Sequence, residues 1–515
     1  MRPDRRRFIR QTLSAALGGA SVYSALGNLQ LLQAATRATD YAFSNYKALV
    51  CVFLYGGNDG FNTIAPYTLA NFNSFYGAGG VRPQLALDHN QLNPLTDASG
   101  SSGDGVQYAL HAQLPELAAL FNQPNSPLAI MANVGTLVRP TTQYDYNHNG
   151  AVPPQLYSHA DQAAYWQSSP PTNTPTTGWG GRICDMVASA NPANIPVMTS
   201  FSGQDAFTRG QQVNGYIMNA SIPLTVDLPS ISGLPGVFNA LQASGTQANV
   251  LERTFAATMN HATNTAGIIN AALNAAGVPT FKDPVDPTKN FFPQANGYNF
   301  DAQLQTAARL IYAAYFNSVP QYSGLRRQVF FVNTGGYDTH SDEINQHVDL
   351  LPVLSRALAG FYNALNSVSI GGSATLASVA TAFTASDFGR SMTSNNAGTD
   401  HGWGSHHFVL GGAVQGGKFY GNGCGFGGAS STFGPVMPSL HNPSTPYGTL
   451  SQNLNDPGDG DGRIIPTTSV DQYAATLANW FELSAGDIGT IFPNLSNFSP
   501  SANYDPTSGY MKFLG

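Results

Sequence analysis

"ALVCVFLYGG" (48–57) is a continuous apolar run that ends in two glycines. With no polar residue inside it, the run has no face to offer to water, which is the pattern of a strand covered on both sides in a parallel sheet. "PLAIMANVG" (127–135), "RRQVFFVNTGG" (326–336) and "LASVATAFTAS" (376–386) read the same way. Helical patterns lie among them. "QLPELAALF" (113–121) precedes the second run and "FDAQLQTAARLIYAAYF" (300–316) the third, while "EINQHVDLLPVLSRALAGFYNAL" (343–365) carries apolar residues at spacings of three and four. Strand and helix in alternation predict an α/β fold, a mostly parallel central sheet flanked by helices. Residues 195–299 are less regular and are expected to be an insertion, and with no linker to divide it, 46–515 is expected to be a single domain.

The 515-residue chain is 42% hydrophobic, enough to build a large core and too much for a disordered chain. A net charge of −7 with no basic face argues against nucleic acid as a partner. The start is different in kind. "DRRRFIRQ" (4–11) followed by the small-residue, apolar "TLSAALGGASVYSALGNLQLLQAA" has the layout of a twin-arginine export signal, with cleavage expected near Ala34 to Ala38. Residues 1–38 are therefore read as a signal peptide, the mature protein as periplasmic or extracellular, and no membrane anchor is expected to remain. Cys51, Cys184 and Cys424 are scattered and form neither a zinc ribbon nor a disulfide framework.

The strand map gives the polar clusters their meaning, because open α/β sheets bind ligands outside the carboxyl ends of their strands. The first run leads into "GGNDGFN", the third into "GGYDTHSDE" and the fourth into "SDFGR", which places Asp59, Asp338 with His340, and Asp387 with Arg390 at one edge. A lone aspartate after a strand is most often a cap. Three at one edge repel one another unless a cation neutralises them. Farther along, "TDHGWGSHH" (399–407) adds Asp400, His401 and His406, with His407 expected to face the other way. Asp59, Asp338, His340, Asp387, Asp400, His401 and His406 are thus the candidate ligands of a divalent metal: zinc, manganese or iron for mixed ligands, calcium or magnesium for oxygen alone.

Taken together, "VCVFLYGGNDGFNTIAPY", "GGYDTH", "SDFGR", "TDHGWGSHH" and "PTTSVDQYAATLANWF" resemble the exported bacterial family known as domain of unknown function 1501, which is similar to the alkaline phosphatase and sulfatase superfamily. The resemblance implies an alkaline phosphatase-like sheet with one or two metals at its carboxyl edge and a nucleophile attacking phosphorus or sulfur. The superfamily's Asp-His-Gly is "DFG" here, with Phe388 in the histidine's place, and its middle pair is the closer D-x-H. No cysteine lies in a formylglycine motif, which excludes that sulfatase chemistry. The nucleophile is sought at "YSHADQAAYW" (157–166), where Ser158 with His159 opens a helix, and where the alternative for Ser158 is an ordinary N-cap. Thr63 is a weaker candidate; His111 and Arg182 belong to the pattern of the resembling family, where each could equally support structure.

"DPGDGDGR" (456–463) reads as a polar turn rather than a calcium loop, and "GGAVQGGKFYG" (411–421) as a glycine-rich hairpin. The last helix is expected to pack Tyr473, Leu477, Trp480 and Phe481 against the sheet. The function expected is an exported metal-dependent hydrolase of phosphate or sulfate-type esters, acting on a small anionic substrate, with Ser158, His159 and Arg390 as catalytic residues. The alternative is a non-catalytic exported binding or assembly protein that keeps the fold and a structural metal.

Overall fold

Among the described residues, the four apolar runs are the centre of a nine-stranded sheet. The computed structural model describes residues 41–97, 100–102, 105–148, 150–171, 175–220, 250–282, 286, 288, 290–295, 299–421, 460–498 and 510–515. The export signal and Cys424 lie outside these residues, as does the start of "DPGDGDGR". Phe43–Gly515 form one compact unit. In chain order the strands of the sheet are β1 (Lys47–Leu54), β2 (Leu128–Gly135), β3 (Met198–Ser200), β4 (Tyr216–Ile217), β5 (Arg327–Thr334), β6 (Ala380–Ser386), β7 (Ser405–Gly411), β8 (Phe419–Tyr420) and β9 (Thr468–Ser469). Their spatial order is β8-β2-β7-β6-β1-β5-β3-β4, with β9 also on β2.

β1 lies parallel between β5 and β6, so that Leu54 is level with Thr334 on one side and Ser386 on the other. The polar segments after all three strands therefore leave the sheet side by side. β7 runs antiparallel to β6 and β2, while the remaining pairings of this sheet are parallel. Two expectations are corrected. The segment 195–299 is not wholly an insertion, because β3 and β4 extend the sheet beyond β5. "GGAVQGGKFYG" is not a hairpin either: β7 and β8 flank β2 on opposite sides, and β8 pairs with it in parallel.

The alternation of side chains sorts the core into two layers of helix. Val50, Val52 and Leu54 of β1 and Phe330 and Val332 of β5 join a cluster with α2 (Pro115–Asn122), α5 (Phe300–Tyr315) and α6 (Glu343–Asn366). The other face is aromatic. Phe53, Phe331 and Phe383 meet Phe207, Trp179 of α4 (Trp179–Val187) and Tyr473 of α7 (Val470–Trp480), and Tyr473 meets Trp166 of α3 (His159–Ser168). Each such side chain contributes roughly 1.5–3 kcal/mol by leaving water, which makes these layers the main stabilising term. Tyr473, Leu477, Trp480 and Phe481 are all buried, as the sequence predicts. Cys51 and Cys184 are buried and free. None of the described helices is long and apolar enough to cross a membrane.

The buried stripe of α6 changes character along its length. Leu351, Leu354, Leu358, Phe361 and Leu365 pack into the core, but the same stripe begins with Glu343 and His347. A helix that starts on two buried polar groups needs partners for them there, and that end of α6 lies beside the carboxyl edge of β5.

Candidate metal centre

Gly56 brings the strand ends together. Its φ is +115°, and a Cβ on it would come 2.4 Å from the backbone nitrogen of Asp338. Only glycine allows both that conformation and that approach. Its N–H donates to Asp387 Oδ2 at 3.1 Å and its carbonyl accepts from Arg390 at 3.2 Å, so the turn after β1 holds the segments after β5 and β6.

At this junction one imidazole nitrogen each of His159 and His401 and a carboxylate oxygen of Asp338 lie within 4.8 Å of one another, a group able to hold a metal ion. The tautomers are set from behind. His401 donates its Nδ1 proton to the carbonyl of Tyr157 at 2.7 Å, and His159 donates its own to Asp387 Oδ2 at 2.7 Å. His340 donates Nδ1–H to Asp400 Oδ1 at 3.0 Å. In its neutral form each imidazole is left with a bare Nε2, and all three Nε2 atoms face Asp338 Oδ1, at 3.4 Å from His159, 3.2 Å from His340 and 3.4 Å from His401. The Nε2 atoms of His340 and His401 are only 2.8 Å apart. Lone pairs aimed at one another and at a carboxylate repel unless a cation or an extra proton stands among them. The carboxylate or carbonyl behind each ring is the usual support of a ligating histidine.

The charges agree with this arrangement. Burial would raise the Asp338 carboxyl, but Arg390, donating to it at 2.8 Å, and the imidazoles hold it below the usual carboxylate range. The bond to Asp387 raises the His159 imidazole against its burial. Burial lowers the His401 imidazole, partly offset by its bond to Tyr157. Phe388 is buried, with its ring centre 4.7 Å from that of His159 and 4.6 Å from that of His401. Phe388 thus stands as an apolar wall behind two histidines.

Several candidate residues have other occupations. Asp59 follows β1 at the expected edge but turns away from the cluster. It is fully buried, caps the short helix α1 (Gly60–Thr63) through Phe61 N–H, and pairs with the equally buried Arg82 at 2.5 Å. His406 is in the core, where its Nδ1 accepts the N–H of Asn133 at 3.1 Å. That bond puts the ring proton on Nε2, the wrong tautomer for a ligand. His407 faces the opposite side, against Trp166 and Tyr473. Asp387 and Asp400 support imidazoles rather than joining the convergent atoms. Ser158 is the N-cap of α3, its hydroxyl 2.5 Å from Asp161 Oδ2. The Arg390 side chain is fully buried and committed to Asp338, Gly56 and Thr399, so it is not placed to meet a substrate. His159, read from sequence as a catalytic partner of Ser158, is instead one of the converging groups. Sequence reading missed Tyr157, since a backbone carbonyl leaves no signature.

Fold and site together define an α/β protein with a histidine–carboxylate centre, fit for a metal ion, at the carboxyl edge of a mostly parallel sheet. Residues 322–443 match the family model described as "Protein of unknown function (DUF1501)", and the match supports that family for this chain. The matched stretch holds Asp338, His340, Asp387, Arg390, Asp400 and His401, and leaves His159 outside. No curated protein and no solved structure matches the chain.

Proposed function

We propose that this chain is an exported metal-dependent hydrolase of phosphate- or sulfate-type esters. One observation carries the reading: three imidazoles, each with its Nδ1 proton tied to an acceptor, turn their Nε2 atoms toward the ionised Asp338. The donor set fits a divalent cation, and its nitrogen content favours zinc or manganese over calcium. A cation held by His159, Asp338 and His401, with His340 beside them, would supply Lewis acidity toward an ester oxygen and acidify water within its reach. The chain's own groups do the rest. Asp387 and Tyr157 fix the rings, Arg390 keeps Asp338 ionised, and Phe388 excludes water from one side. The resemblance to the alkaline phosphatase and sulfatase superfamily, and the export pattern at 1–38, point to the substrate class and the compartment.

A second reading is favoured by the commitments of Ser158 to its cap and of Arg390 to Asp338. Neither is free as a nucleophile or an anion clamp, which suits an exported binding or assembly protein with a structural metal. Metal analysis of the purified, folded protein, followed by a screen of chromogenic phosphate and sulfate esters, separates the two. Stoichiometric metal with ester turnover supports the hydrolase, and metal without turnover on any ester supports the binding protein. Protein that takes up no zinc, manganese or calcium overturns both metal readings.

A further inference from the structure

Beneath the centre, Glu343 lies at the start of α6 with its side chain fully buried. One of its carboxyl oxygens, Oε2, accepts hydrogen bonds from two hydroxyls, Thr339 Oγ1 at 3.0 Å and Thr399 Oγ1 at 2.5 Å. Thr339 stands between Asp338 and His340, and Thr399 immediately precedes Asp400 and His401. A single atom therefore joins the two arms that bring the converging groups together. The main chain reinforces the joint: Glu343 N–H donates to Ala397 O at 3.1 Å, and Thr399 N–H to Thr339 O at 3.1 Å. Arg390 donates from Nε to the Thr399 hydroxyl at 3.2 Å and from its fork to Asp338, which ties the same two arms from the other side. On its far side Glu343 accepts from Asn62 at 3.3 Å, and Asp59 and Arg82 lie close enough to bias its charge.

A buried carboxyl is destabilising by itself, and an apolar side chain would pack at this position without that cost. What an apolar residue cannot do is accept two hydroxyls at once. We infer that Glu343 is a positioning residue, the clasp that sets the separation of the Asp338–His340 and Thr399–His401 arms and with it the affinity of the centre for a divalent metal. This rests on the metal reading above. Because Glu343 heads the helix whose stripe is anchored in the core, the clasp refers both arms to the sheet rather than to each other alone. Burial, with Asp59 next to it, favours the protonated form of Glu343, so a glutamine at 343 keeps the acceptor oxygen toward the two threonines and a donor toward Asp59, and gives up only the long bond from Asn62.

The test is the affinity for zinc, measured by titration calorimetry on metal-stripped protein, with the apo thermal midpoint recorded alongside. Glu343→Ala, and separately the double variant Thr339→Val/Thr399→Val, should each bind zinc at least about tenfold more weakly, whereas Glu343→Gln should stay near wild type. Combining Glu343→Ala with the two valines should add little further loss, because all three remove one joint. The isosteric valine pair keeps the question open to measurement if the alanine variant does not fold. Wild-type protein that binds zinc, with the variants within twofold of it, overturns the clasp and leaves the metal reading standing. Loss in Glu343→Gln as large as in Glu343→Ala also overturns it. Wild-type protein that binds no zinc or manganese overturns the metal reading, and the clasp with it.

Discussion

His159 donates its Nδ1–H to Asp387 across 2.7 Å, and that bond turns the opposite nitrogen toward Asp338. The two residues come from distant parts of the chain, one heading a helix and the other ending a central strand. Asp387 thereby sets both the tautomer and the direction of a ring that otherwise rests against the rings of Phe388 and His401.

Asp387→Ala is accordingly expected to weaken metal binding by about 10- to 100-fold without abolishing it, the usual result of removing a support behind a ligating histidine. Calorimetric titration with zinc measures this directly. Unchanged affinity would mean that His159 does not ligate.

His401→Ala and His406→Ala should separate cleanly. The first removes a converging nitrogen, so metal content should fall while the stability of the chelated protein changes little. The second deletes a core ring that packs against Phe61 and accepts from Asn133, so stability should fall by about 1–3 kcal/mol with metal content intact. Metal lost in His406→Ala and kept in His401→Ala would reverse the assignment.

Arg82→Leu should be among the most destabilising single changes in the molecule. Asp59 and Arg82 are both fully buried, and Arg82 also donates to the carbonyls of Ser391 and Met392. Removing the cation strands a buried carboxylate, a loss of about 3–5 kcal/mol. Urea unfolding should show it as a lower midpoint, and a midpoint within experimental error of wild type would contradict it.

Asp471 supplies a pH dependence of its own, apart from the groups of the centre. Burial pushes its carboxyl from the ordinary 3.8 up to about 6, only partly offset by Ser169, its own N–H and Arg182. A raised carboxyl means that the folded state holds a proton the unfolded chain has already released. Stability is therefore lost as pH rises from about 4 to about 6, and the penalty is complete above that window. Two units correspond to roughly 3 kcal/mol. Asp471→Asn should stabilise the protein by that order at pH 7.5 and by little at pH 4. Equal effects at the two values would rule out the titration.

How much of this was legible in the residues follows from the physics of each part. The apolar runs that became β1, β2, β5 and β6 were readable because burial on both faces demands an unbroken stretch of apolar side chains. The edge at which Asp338 and Asp387 emerge followed from the parallel arrangement alone. β3, β4, β8 and β9 were not readable. They are two or three residues long, too short for any periodicity, and exist because a neighbouring strand offers free backbone groups.

Within the centre, residue type marked the groups able to ligate, and Asp338, His340 and His401 were named from the chain. Which carboxylate turns inward is a different question. Asp59 and Asp338 look alike in sequence, each following a strand and a pair of glycines, yet Arg82 claims the first and a ring of imidazoles surrounds the second. His401 and His406 are told apart by what lies behind Nδ1, a carbonyl that accepts or an N–H that donates. Residue type determines what an atom can do and reads directly from the sequence. Hydrogen-bond partners decide what it does, and here those partners arrive from 23 residues away for Asp59 and Arg82 to 273 for His406 and Asn133, so only the tertiary structure could settle them.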